Sequence, residues 1–373
     1  MESLLKGLQN FHWQNGVMIL IGLVLIYLAI KKEYEPMLLL PIGFGSILTN
    51  LPLSSAVGPN GFLTILYNAG IATELFPILI FIAVGAMIDF SPLLKQPVML
   101  FFGAAAQFGI FFALLMAVAV NYFVPGIFTF KEAAAIGIIG AADGPTSIYV
   151  GNLFAPKYIA PISVAAYSYM ALVPLIQPPV IRALTTRKER LIRMDADYNI
   201  QVSKKVRIMF PIIVTVIAGL IAPEGIGLIG SLMFGNLIRE CGVLERLSQA
   251  AQNELANLVT ILLGITIGST MTAENFLTVE TILILAIGLI AFVFDTAGGV
   301  VFAKVINLFL KKKVNPMIGA AGISAFPMSA RIIQKMAQQE DASNFILMQA
   351  IGANVAGQIG SIIAGGLILA LVR

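Results

Sequence analysis

Asp143 stands in Gly140-Ala141-Ala142-Asp143-Gly144-Pro145-Thr146-Ser147, with apolar runs on both sides. An acid in such surroundings is costly to keep, so it is expected to bind a cation or a proton. It can also cap a helix that restarts at Pro145, and one carboxylate can do both. Sodium, a hard cation, takes oxygen ligands. Candidate oxygens lie at Thr146, Ser147, Ser324 and Asn354. The three hydroxyls could instead bond their own helix backbone, whereas the Asn354 amide, among small residues of the last helix, needs a partner. Tyr169 could exchange a proton beside Asp143 or serve as an interfacial aromatic. Arg331 could hold a carboxylate or carbonate-like group, pair with Asp143, or reach lipid headgroups. Asp295 is a second embedded acid to which the sequence assigns no role, while Asp89 and Glu274 read as interfacial.

The elements that carry these residues must lie in a membrane. Of the 373 residues 58% are hydrophobic and only 11% charged, with a mean hydropathy of +0.93, where soluble domains carry roughly a quarter charged residues. Apolar stretches of near-spanning length recur, among them Met99 to Val120, Ile159 to Val180 and Phe345 to Val372. About ten or eleven membrane segments are expected, some of them broken, in an all-α polytopic protein. Met1 to Gln14 lacks the pattern of a secretory signal, so insertion is expected to use the first membrane helix. One histidine, His12, and one cysteine, Cys241, exclude an intrachain disulfide and make a His/Cys metal cluster implausible, so any ion site is built from oxygens. Arg182, Arg187, Lys188, Arg190, Arg193, Lys204, Lys205 and Arg207 mark a basic, cytoplasmic loop that could touch anionic lipid or dock a soluble partner.

The chain also echoes itself. Gly43 to Leu48 resembles Met233 to Ile238, Val84-Gly85-Ala86 resembles Ile267-Gly268-Ser269, and Gly140-Ala141-Ala142-Asp143 resembles Gly319-Ala320-Ala321-Gly322, in the same order. The chain divides into an N-terminal segment 1–16, a membrane repeat 17–182, the basic loop 183–207 and a second repeat 208–373. Such repeats are often inverted in transporters, with broken helices forming an ion site at their interface. The Gly-Pro word at 144–145 and the sequence Asn315 to Pro327 are the two expected breaks. Unwound backbone at that depth must be buried or line a polar cavity. No phosphate-binding loop, dinucleotide fingerprint or biotin-attachment sequence is present.

Gly43 to Asn50, Ile136 to Ser147, Ala165 to Pro179, Asn315 to Arg331 and Gly352 to Ser361 resemble the beta subunit of the biotin-dependent sodium-translocating decarboxylases. The Ala-Asp-Gly-Pro-Thr and Gln-Pro-Pro words make the resemblance specific. It implies decarboxylation of carboxybiotin held on a partner subunit, with uptake of a proton and outward transport of sodium. It further implies catalytic roles for Asp143, Tyr169 and Arg331, with Arg331 toward the carboxybiotin, and ion contacts from Asp143, Asn315, Ser324 and Asn354, to which Thr146 and Ser147 are added as the hydroxyls beside Asp143. Asn315 enters only through the resemblance. The implied partners are alpha (carboxyltransferase), biotin-carrier and gamma subunits in a bacterial cytoplasmic membrane, with a homo-oligomer such as a trimer and an elevator-like motion. No nucleic acid is expected. The short chain slightly favours an acyl-CoA substrate, methylmalonyl-CoA or glutaconyl-CoA, over oxaloacetate. A stand-alone sodium/proton or organic-anion transporter is the competing reading.

Overall fold

The computed structural model describes residues 2–194 and 201–372. The middle of the basic loop, 195–200, lies outside them. Among the described residues all regular structure is helical.

In the first half, α1 (Trp13–Lys32) is followed by α2 (Pro36–Asn50), α3 (Leu75–Met87), α4 (Met99–Ala106) and α5 (Phe108–Phe123). Then come the short α6 (Phe130–Gly137) and α7 (Gly144–Phe154), and the bent pair α8 (Ile159–Ala171) and α9 (Val173–Leu184). The second half contains α10 (Lys204–Ile221), α11 (Ile226–Glu240), α12 (Ala256–Thr270), α13 (Val279–Ile306), α14 (Met317–Ala320), α15 (Met328–Glu340) and α16 (Leu347–Leu371).

Small residues let backbones approach where hydrophobic driving force is weak. Gly45 of α2 lies against Gly268 of α12, and the Asn50 amide donates to the Met271 carbonyl at 2.7 Å, so these helices run parallel. Asn15 donates to the Asn50 carbonyl and Gly22 meets Gly43, so α1 runs antiparallel to α2. Asn236 and Arg239 donate to the carbonyls of Ile88 and Met87, which sets α3 parallel to α11.

Two helical hairpins enter from opposite ends. The first, α6 and α7, closes at its base with Lys131 over the Phe154 ring and Phe128 against Tyr158. A cavity of about 360 Å³ lined by Lys157, Thr49 and Thr270 puts that base beside the C-terminal ends of α2 and α12. The second, α14 and α15, closes on the basic loop, with Arg190 bonded to Glu340 and Arg193 to Asp341, each at 2.6 Å.

Five described helices are long and apolar enough to cross a membrane, or seven counting two bent pairs, against the ten or eleven expected. Two reasons account for the difference. α2 and α11 have only 15 residues, and α10 opens on Lys204, Lys205 and Arg207. The hairpins, counted as segments in the sequence, turn back at their breaks.

The loop attachment is titratable. Arg190 holds the Glu340 carboxyl below its ordinary 4.5, and bonds from Ser343, then Arg193, hold Asp341 down to about 2. A depressed carboxylate contributes stability above its unfolded pKa and loses it as pH falls through the folded value. The contribution is therefore complete above about pH 4.5 and lost toward pH 2. The melting temperature of the detergent-solubilised protein is expected to fall across that window, and Arg193→Gln to flatten its acid end. Identical profiles for the two proteins would remove this role for the ion pair.

Candidate functional site

The tips of the two hairpins meet. After α6 the chain tightens into a 3-10 turn, Ile138–Ala141, and Ala142 takes a left-handed φ of 52°. That conformation is strained for a residue with a Cβ. It turns Asp143 into extended backbone at the N-cap of α7. In the second hairpin the backbone N–H of Ser324 donates to the Ala141 carbonyl at 3.4 Å. Broken backbone from each half thus lies tip to tip inside the protein, where groups that lipid would leave unpaired find partners.

Asp143 is 4% exposed. Its Oδ2 accepts from Thr146 Oγ1 at 2.8 Å and from Ser361 Oγ at 2.9 Å, while Oδ1 takes the Thr146 N–H at 3.4 Å. Among the described residues no Lys or Arg pairs with it. The carboxylate is therefore held by neutral donors alone, and a buried charge left so calls for a bound cation or a proton. Gly144 brings Tyr167 close: a Cβ there would overlap the Tyr167 ring, whose hydroxyl is buried without a hydrogen bond.

One face of α16 serves both tips. Asn354, Gln358 and Ser361 follow at i, i+4 and i+7, the spacing of a single helix face. Asn354 donates to the Ile323 carbonyl at 2.6 Å, Gln358 to the Ser324 carbonyl, and Ser361 to Asp143. Ser361 Oγ also lies 3.0 Å from its own helix's Gln358 carbonyl. From the α4–α5 junction Gln107 reaches the carbonyls of Gly322 and Gly357, at 3.5 Å each. The acceptor oxygens Asn354 Oδ1 and Gln107 Oε1 are both buried without a donor. Orphaned acceptors beside unwound backbone suit a cation that takes oxygen ligands.

The expected residues divide. Asp143 and Thr146 share one cluster, and Asn354 faces the second tip. Ser147 Oγ bonds the Asp143 backbone carbonyl at 2.8 Å, so its hydroxyl is satisfied within its own helix. Ser324 donates to the Gly357 carbonyl at 2.9 Å and ties the second tip to α16. Asn315 lies at the base of its hairpin, donating to the Arg190 and Ile192 carbonyls at 2.8 and 2.9 Å. It fastens the basic loop and does not join the Asp143 group. Tyr169 does not touch Asp143 either: its hydroxyl donates to the Leu285 carbonyl of α13, and its ring meets Ile139 over Gly288. Two residues apart on a helix face about 200° apart, which is why Tyr167 takes the place beside Asp143.

Arg331 is exposed on the first turns of α15, with no ion pair among the described residues, and makes no contact with Asp143. Asp295, 1% exposed, packs on Gly109 at the start of α5, and Gly109 in turn packs on Gly140 of the first break. The acid thereby seats the α4–α5 junction against the first hairpin. Ser361, Gln358, Gln107 and Tyr167 join the site without having been expected there from sequence. The 354/358/361 spacing was the available signal for the first two.

Ser361→Ala removes one of the two hydroxyls on Asp143 and, where the carboxylate holds a cation, is expected to weaken cation binding to the purified protein about 10- to 100-fold, the usual cost of losing a supporting hydrogen bond. Unchanged cation binding in calorimetry would leave Ser361 with a packing role alone.

Residues 14–372 match the family described as Na+-transporting oxaloacetate decarboxylase beta subunit. The chain is 50% identical to the glutaconyl-CoA decarboxylase subunit beta of Acidaminococcus fermentans, over 98% of this chain and 96% of that one. It is 49% identical to the methylmalonyl-CoA decarboxylase subunit beta of Propionigenium modestum, over 98% and 96%. With the probable oxaloacetate decarboxylase beta chain of Vibrio cholerae it shares 46% identity, over 98% and 97%.

Proposed function

Because the chain belongs to the Na+-transporting oxaloacetate decarboxylase beta-subunit family, we propose that it is the membrane-embedded, ion-translocating subunit of a biotin-dependent decarboxylase. The observation that carries this reading is the meeting of two broken hairpins at a buried carboxylate held only by neutral donors. In it, Asp143, Thr146 and Ser361 bind sodium or a proton in turn, since one carboxylate is neutralised by either cation and not by both. Asn354 and Gln107 offer further oxygens from the second tip, and Ser324 and Ser147 hold the backbone that carries them. Carboxybiotin on a partner subunit supplies the carboxyl group when it docks. Arg331, an exposed cation of the second hairpin, would orient that carboxyl group, and the proton that displaces sodium at Asp143 would pass on to the biotin nitrogen as CO2 leaves, so that the carboxylate is again bare for sodium.

The halves 17–182 and 208–373 are inverted repeats in this reading. Support comes from the contrary directions of their matching elements, α2 against α11, α3 against α12, and the two hairpins. An elevator-like movement of the hairpins with α8, α9 and α16 against the remaining helices carries sodium outward across a bacterial cytoplasmic membrane. Tyr169 ties α8 to Leu285 of α13, and Asn315 fastens the second hairpin to the basic loop. The complex contains carboxyltransferase, biotin-carrier and gamma subunits, and the chain forms a homo-oligomer such as a trimer. An acyl-CoA is the favoured substrate. Alignments with the two acyl-CoA relatives span 389 and 367 positions, against 422 for the oxaloacetate relative from Vibrio, so the chain lacks the added length of the latter.

The test is CO2 release by the complex purified from native membranes, with and without sodium, from methylmalonyl-CoA, glutaconyl-CoA, malonate and oxaloacetate in turn. Sodium-stimulated release from a CoA ester is expected. Release from none, in a preparation free of biotinylated protein, would replace this reading with a stand-alone carrier. Arg331→Gln is expected to lower kcat/KM for carboxybiotin on the order of 10- to 100-fold while leaving sodium dependence unchanged, the cost of one charged hydrogen-bonding partner. A shifted sodium optimum with normal turnover would assign Arg331 to the ion instead.

A further inference from the structure

A cavity of about 670 Å³ opens where the C-terminal end of α13 leaves the membrane, between α9, the Arg187–Arg190 helix and the segment after α13. Its rim carries Lys188, Lys304 and Lys313 with one acid, Glu189. The Glu189 carboxylate is already taken by Lys304 at 3.3 Å, and Lys304 also donates to the Leu184 carbonyl at 3.0 Å. Lys188 and Lys313 are exposed and have no ion pair among the described residues. Two uncompensated cations therefore face the cavity mouth, with Lys311 and Lys312 preceding Lys313 in sequence.

The floor has the opposite character. Val301, Val305 and Leu308 line it and are 45%, 47% and 80% exposed, the two valines near the end of the 28-residue α13 and Leu308 in the turn just past it. About 20 residues suffice to cross the hydrocarbon, so the last turns of α13 emerge at the headgroup level and carry this apolar strip up to the lysines. A small free anion would use only the rim. An acidic protein surface would leave the strip uncovered.

We propose that this cavity is a binding site for an anionic phospholipid, its phosphate on Lys188 and Lys313 and its acyl chains along Val301, Val305 and Leu308. Basic pockets between membrane helices on the cytoplasmic side are suited to such headgroups. The site also borders the latch of the second hairpin, because Glu189 and Ile192 line the cavity and the Ile192 carbonyl accepts from Asn315. A lipid seated there fastens the loop segment against α13.

The experiment uses the delipidated full-length protein in detergent. Melting temperature is followed on titration with phosphatidylglycerol, phosphatidylethanolamine or inorganic phosphate, for the wild type, Lys188→Gln/Lys313→Gln and Lys188→Arg/Lys313→Arg. Phosphatidylglycerol is expected to stabilise the wild type at concentrations roughly 30-fold lower than it does the glutamine variant, the contribution of two basic residues at an anionic headgroup. The arginine variant is expected to match the wild type, and phosphatidylethanolamine to act weakly on all three. Stabilisation by inorganic phosphate equal to that by phosphatidylglycerol would overturn the lipid assignment in favour of a free anion. So would equal responses of the wild type and the glutamine variant, or equal responses to the two lipids. A glutamine variant that melts as the wild type does without lipid keeps the comparison free of folding effects, and native mass spectrometry of retained lipid gives the same answer should it not.

Discussion

Asp143→Asn is expected to bring sodium-stimulated CO2 release down by 100-fold or more while the protein still folds and inserts. The asparagine keeps an oxygen for the Thr146 N–H, so the cap on α7 survives. What disappears is the negative charge. A buried cation whose counter-charge is removed loses about 3–5 kcal/mol, well beyond anything the neighbouring hydroxyls return. Sodium then cannot enter the site, and no proton can take its place. Asp143→Glu keeps the charge but lengthens the side chain inside a packed tip, and should retain a measurable fraction of the rate with a weaker sodium response. Wild-type turnover in Asp143→Asn, with or without sodium, would end the coupling role given to this acid.

Gly357→Ala should have the second-largest effect, for a steric reason. A Cβ on Gly357 would overlap the Gly322 carbonyl oxygen and lie 2.7 Å from its carbon, so backbone must give way. Overpacking of this kind costs typically 1–3 kcal/mol. Here the displaced segment is the second tip, and Ser324 would lose its 2.9 Å bond to the Gly357 carbonyl. Misplacing a reacting group by 1 Å can cost about 100-fold in rate. The expectation is a lower melting temperature together with a loss of turnover near that size, and with Asn354 and Gln107 both misdirected. A variant with normal melting and normal turnover would mean that the tip is far softer than its packing implies.

Much of this was legible in residue types. The hydropathy required a membrane fold, and the glycine and proline words at 140–145 and 315–327 located both breaks, because few residues tolerate those backbone conformations at that depth. Asp143 was legible because an acid between apolar runs is too costly to keep unless a cation or a proton neutralises it. The remainder depends on rotation and docking. Tyr167 and Tyr169 are indistinguishable by composition, and only the facing of α8 decides which meets the first tip. Asn315 is a plausible ligand by type, yet its amide hydrogens are taken by the loop that folds back on it. Arg331 follows the second break in sequence but turns outward. Short helices such as α2 and α11 share the composition of full crossings, so the number of described helices that are long and apolar enough to span falls below the ten or eleven expected segments.

Ser361 has one proton and two acceptors, Asp143 Oδ2 and the Gln358 carbonyl. A hydroxyl donates a single hydrogen bond at a time, so the two bonds are alternatives. With Asp143 charged and bare, the carboxylate wins the proton. With a cation on Asp143, the hydroxyl is free to swing to Gln358, turning its lone pairs toward the ion. Gln358 is the residue that grips Ser324 in the other hairpin. A cation on Asp143 would thereby be felt, as the orientation of a single rotor, by the helix whose Gln358 side chain holds the other hairpin.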